Sequence, residues 1–237
     1  MRSGIRTIRD RRFMNIKAKA LAALLVLLGV STASTAFAQE SEPDSCVVLP
    51  PTRMLVDDVG VADADLGDGW LALAPDGHRW KLAPARIRLE PVQPDGEVVD
   101  VTSDVKNAVA LLRCKSLRQG RVDAANLAFP NGGRAIEPGP EPLRFAFHGR
   151  RYALRYTASG GAIADGDGKR SVLYDFGGST PPFRVTLIWA GDLDRDGRLD
   201  FLIEFGSEIG SNFCLFRSGN AKENEQVGPA SCLDVSG

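Results

Sequence analysis

Asp192, Asp194 and Asp196 stand at alternate positions, Gly197 follows, and Asp200 returns four residues later, all within the stretch GDLDRDGRLDFLI at 191–203. Four carboxylates crowded into nine residues repel one another, and a hard divalent cation relieves that repulsion. Calcium takes six to eight oxygens at about 2.3–2.6 Å, and a short loop supplies them from positions 1, 3, 5, 7 and 9. Counted from Asp192, those ligands are the side chains of Asp192, Asp194 and Asp196, the backbone carbonyl of Arg198 and the side chain of Asp200. Gly197 falls at position 6, where the chain turns sharply and a Cβ is resisted. Position 12 is Ile203, where a helix-loop-helix hand would carry a bidentate Glu. The competing reading is a polar hairpin turned by Asp196-Gly197, its other carboxylates merely solvated.

Strands flank this loop. FRVTLIWA at 183–190 is rich in β-branched and aromatic residues, and Leu199, Phe201, Ile203 and Phe205 alternate with Asp200, Leu202 and Glu204. The expected geometry is strand, metal loop, strand.

That arrangement resembles the calcium loop of FG-GAP and VCBS repeats, the integrin-like β-propeller units in which DxDxDGxxD joins two strands. Asp175-Phe176-Gly177 is similar to the Phe-Gly that opens such repeats, so the resemblance covers 175–206. It implies calcium at Asp192, Asp194, Asp196, Arg198 and Asp200. It does not imply a propeller: Phe205-Gly206-Ser207 stands where the repeat closes with Gly-Ala-Pro, and the loop has no second copy. The chain also resembles uncharacterised exported bacterial proteins with a single such loop near the C-terminus, which bring no known activity.

Residues 1–38 read as a signal peptide. A basic stretch precedes an eleven-residue apolar run at 20–30, and Ala36-Phe37-Ala38 has the small-x-small cleavage pattern. Eleven residues are too few to span a bilayer, which takes about 20. Translation starts at Met1 or at Met14, since the segment from Met14 is itself a complete signal. No cysteine directly follows the cleavage site. The expected product is periplasmic or secreted, with no stable membrane anchor after cleavage. Residues 39–237 carry 22 basic and 29 acidic side chains, a net charge of −7, which disfavours nucleic acid as a partner.

Four cysteines remain in that mature chain, and an even number in an exported protein argues for two disulfides. Three connectivities exist. Cys214 with Cys232 and Cys46 with Cys114 is preferred, because each bond then ties a terminal segment to an internal strand.

The rest of the chain reads as antiparallel β. Segments 70–73, 78–82, 85–92, 108–114, 143–148, 151–157, 171–176 and 213–216 carry strand patterns punctuated by Pro, Asp and Gly turns. No long 3.6-residue apolar period occurs outside the signal. The fold class is therefore all-β, mainly antiparallel hairpins in a sandwich or barrel-like form, with an N-terminal β region at 39–119, a linker or long loop at 120–142, and a C-terminal β region with the calcium loop at 143–237. Trp70 and Trp80 are expected to pack as a cross-strand pair, with an exposed binding platform as the rival use. Asp165 and Asp167 repeat the calcium spacing, but Lys169 at position 5 marks a solvated turn.

The common catalytic templates are absent: no GxSxG, no HExxH, no P-loop, and only His78 and His148 as histidines. The first functional expectation is thus an exported, calcium-stabilised binding or structural module with a protein or glycan partner. The second is an exported hydrolase with a calcium-ordered loop, drawing on acids such as Asp165, Asp167 or Glu204. The third is an envelope inhibitor or assembly factor.

Overall fold

The computed structural model describes residues 46–59, 66–94, 96–128, 133–157, 161–175 and 184–236. The expected signal peptide at 1–38 and Phe176-Gly177 lie outside them. The described residues are built from antiparallel strand ladders and contain no α-helix.

The largest sheet has ten strands, numbered in chain order. Its path runs β1 (Cys46–Leu49), β7 (Ala110–Cys114), β3 (Leu71–Asp76), β4 (Arg79–Pro84), β8 (Gly120–Ala124), β14 (Arg184–Asp192), β15 (Asp200–Ser207), β16 (Gly210–Arg217) and β17 (Gly228–Ser236). β9 (Arg134–Ile136) pairs with β14 off this path. The sheet curls until β1 packs against β16 and β17, which makes it nearly closed and barrel-like. Closure hides edges that would otherwise present unpaired backbone groups. A four-stranded meander, β10 (Leu143–Phe147), β11 (Arg150–Tyr156), β12 (Ala162–Gly166) and β13 (Lys169–Tyr174), and a three-stranded sheet, β2 (Arg53–Leu55), β6 (Val98–Ser103) and β5 (Ile87–Pro91), complete the structure.

The stretch 120–142, expected as a linker or long loop, holds two strands of the large sheet. β8 joins β4 to β14, and β9 covers the other half of the same β14 edge. The large sheet therefore contains strands from both sides of that stretch.

Both faces of the central strands are buried, which explains their apolar runs. Along β15, Phe201, Ile203 and Phe205 enter one core with Phe145, Tyr152 and Leu154 of the meander. Leu202 enters a second, with Leu73, Leu112, Trp189 and Leu215. In β14, a bulge between Leu187 and Trp189 changes the side-chain phase, so that Leu187 joins the first core and Trp189 the second. Trp70 lies in a third core with Met54, Val99 and Val101. It does not pair with Trp80. The ring of Trp80 meets Trp189 edge-on at 6.2 Å, while Arg113 lies over the Trp70 ring at 4.9 Å. The expectation failed because the β3–β4 register sets Trp80 opposite Pro75 and leaves Trp70 before the first paired residue.

Both disulfides join the preferred partners, Cys46–Cys114 and Cys214–Cys232, and each cysteine sits directly opposite its partner in a ladder. The first closes a separation of 68 residues and the second one of 18. Replacing Cys46 and Cys114 by Ser is therefore expected to cost about 4 kcal/mol in urea unfolding, and the same change at Cys214 and Cys232 about 3 kcal/mol.

Candidate metal centre

The loop from Asp192 to Asp200 is held at both ends by sheet. Gly191 pairs with Asp200 across β14 and β15, and Asp192 pairs with Asp123 of β8. A Cβ on Gly191 would lie 2.2 Å from the Asp123 carbonyl oxygen, so only glycine lets β8 approach the start of the loop this closely. Leu193 and Leu199 are fully buried and anchor the loop from within.

These anchors bring three carboxylates together. One oxygen from each of Asp192, Asp194 and Asp200 lies within 4.8 Å of the others. That span equals two calcium–oxygen bonds laid end to end, and an all-oxygen donor set suits a hard cation. The residues thus fit a metal ion, which would be held by these three side chains.

Backbone amides bind the same carboxylates. Asp192 accepts from the N–H groups of Asp196 at 3.0 Å and Gly197 at 2.8 Å. Asp200, with no exposed surface, accepts from Leu193 N–H at 2.9 Å and Ser218 N–H at 2.8 Å. Asp194 accepts from the Asp196 N–H and from the guanidinium of Arg217, itself almost wholly buried at the end of β16. Burial, followed by the charge of Asp194, pushes the Asp200 carboxyl up to about 7, against the opposing hydrogen bonds and the charge of Arg217. Burial also raises Asp192, with the Asp196 charge adding to it and the loop amides opposing.

Asp196, expected as a ligand, is not in the triad. Its carboxylate accepts from the Arg198 N–H and guanidinium and from the Ser218 hydroxyl at 2.9 Å. Burial acts to raise its pKa, but these hydrogen bonds and the Arg198 charge outweigh it and hold the group below the usual carboxylate range. Gly197 has φ +78°, as position 6 requires, and a Cβ there would meet nothing within 4 Å. Gly197→Ala is therefore expected to cost only the left-handed backbone penalty, about 1–2 kcal/mol, measured by urea unfolding.

Sequence reasoning missed Arg217, Ser218 and Arg195. The hairpin register supplies a signal for the first two: Phe201 pairs with Phe216, which brings Arg217 and Ser218 to the level of Asp200. Arg195, with φ +64°, turns away from the acids and donates to the carbonyls of Arg118, Gln119 and Arg121 at 2.9–3.1 Å.

The other candidate acids lie elsewhere and are paired. Asp165 bonds Arg155 and Arg170, Asp167 bonds Arg150, and Glu204 lies 3.6 Å from Arg184. His148 contacts Asp123 at 3.2 Å. No protein-family model, curated protein or solved structure matches the chain.

Proposed function

We propose that the Asp192–Asp200 loop is a structural calcium site in an exported β protein that works as a binding module. The convergence of three carboxylates, two of them buried, carries this reading. The absence of His and Cys from the cluster favours calcium over a softer metal. When bound, the ion supplies positive charge that the buried acids otherwise lack. The chain's own residues do the rest: Leu193 and Ser218 amides orient Asp200, and Asp196 and Gly197 amides orient Asp192. By the DxDxDGxxD pattern the Arg198 carbonyl and Asp196 would also hold the ion, Asp196 in place of its contacts with Arg198 and Ser218.

Two disulfides fit an oxidising compartment, in line with the signal at 1–38. Among the described residues no helix is long and apolar enough to cross a membrane.

Isothermal titration of residues 39–237 with calcium, magnesium and zinc tests the assignment. The expected result is one calcium per chain, with Kd in the range of about 10⁻⁴–10⁻³ M typical of extracellular modules, and weaker magnesium binding. No saturable calcium heat at millimolar concentration, or a preference for zinc, would overturn it.

A further inference from the structure

A second feature stands apart from the acidic loop. A groove of about 950 Å³ runs between the start of β3, the end of β4 and the end of β7. Arg86, Arg113, Lys115 and Arg118 line it, against Asp68 and Asp104. Among the described residues the lining has a surplus of two positive charges, opposite in sign to the −7 carried by residues 39–237. Arg86, Lys115 and Arg118 are exposed to solvent. Between them lie Val47, Leu71 and Leu117, which give the groove an apolar wall.

The wall is fixed before any ligand arrives. Arg118 is held by the carbonyls of Lys115 at 2.7 Å and Leu117 at 3.2 Å. Its own carbonyl and that of Gln119 each accept from Arg195 at 3.1 Å. Asp104 accepts the Arg86 backbone N–H at 2.9 Å, and the lining residue Cys114 is tied to Cys46 by a disulfide. A site held this way loses little conformational freedom on binding.

We propose that this groove binds an acidic peptide segment of a partner protein, carboxylates on the cationic rim and apolar side chains on the wall. Guanidinium groups match carboxylates in geometry as well as charge. A glycan fits less well, because the one aromatic ring among the described lining residues, Trp70, is 1% exposed and lies beneath Arg113. The same lack of an open aromatic face counts against a single-stranded nucleic acid.

The test is fluorescence anisotropy with a labelled eight-residue peptide alternating glutamate and valine. Its glutamine–valine counterpart and a sulfated oligosaccharide serve as comparisons, all measured in EDTA and in calcium. The acidic peptide is expected to bind at least about tenfold more tightly than the glutamine peptide, and the Arg86→Glu, Lys115→Glu double variant to lose at least about tenfold. Both positions are exposed, so the variant should keep the wild-type melting temperature, and Arg144→Glu, on the meander, should bind as wild type does. Equal binding of the glutamine peptide, indifference to the double variant, or binding of the sulfated oligosaccharide alone would each overturn the proposal. Calcium titration of the same samples reports on the metal loop separately.

Discussion

Arg217→Met is expected to destabilise the metal-free protein by about 3–5 kcal/mol and to lose little stability when calcium is saturating. Arg217 is almost wholly buried beside Asp194, which is itself mostly buried. Removing one partner of such a pair leaves an uncompensated charge inside the protein, and that penalty exceeds what the pair contributed. Here the stranded charge lies among two further carboxylates, so an ion can take over the neutralising role. The variant should also bind calcium more tightly than the wild type, because Asp194 no longer has a guanidinium to exchange for the ion. Urea unfolding in EDTA and in millimolar calcium measures the first effect, and titration measures the second. Equal destabilisation in both conditions would assign Arg217 to packing alone.

The second large effect is the removal of a pH dependence by the metal. Asp200 has a folded-state pKa of about 7, while an unfolded aspartate titrates near 3.9. Between those values the folded chain holds a proton that the unfolded chain has released. Stability in EDTA should therefore fall as pH rises from about 4 to about 7, by roughly 1.4 kcal/mol per pH unit for this one group, and level off above. The raised Asp192 acts in the same direction. The lowered Asp196 acts in the opposite one, contributing stability above its unfolded value that is lost as pH falls through its folded value. Calcium requires ionised ligands, so at saturating calcium the folded chain holds no proton on Asp200 and stability should become nearly independent of pH over the same window. Asp200→Asn should abolish the larger part of the slope in EDTA. Unfolding midpoints at half-unit pH steps give the answer.

Much of the fold could be read from periodicity because its strands are short and their faces are distinct. The alternation of Leu199 to Phe205 corresponds to the two cores that meet at β15. The Cys214–Cys232 pair follows from one hairpin register. What periodicity could not reveal was non-local. Gly, Pro and Asn in 120–142 read as a break, yet β8 and β9 need only a few residues each to cover one edge of β14. Trp80 of β4 meets Trp189 of β14 across the intervening β8, a contact between distant chain segments for which no local pattern exists. At the loop, spacing marked the acids but could not report which carboxylates turn inward. That choice depends on the Ser218 hydroxyl and the Arg198 side chain, which claim Asp196, and on Arg217, which claims Asp194.

Thermal unfolding of residues 39–237, oxidised, in EDTA and in 5 mM calcium, tests the metal centre most directly. An Asp192→Asn, Asp194→Asn double variant and an Asp196→Asn single variant are run beside it. With Kd near 10⁻⁴ M, calcium should add about 2 kcal/mol, a rise of roughly 4–8 °C in melting temperature. The Asp192, Asp194 double variant should lose that rise entirely, and Asp196→Asn should lose part of it. A wild-type melting temperature indifferent to calcium, or a rise that survives in the double variant, would contradict the account and leave the loop as a polar hairpin closed by Arg217.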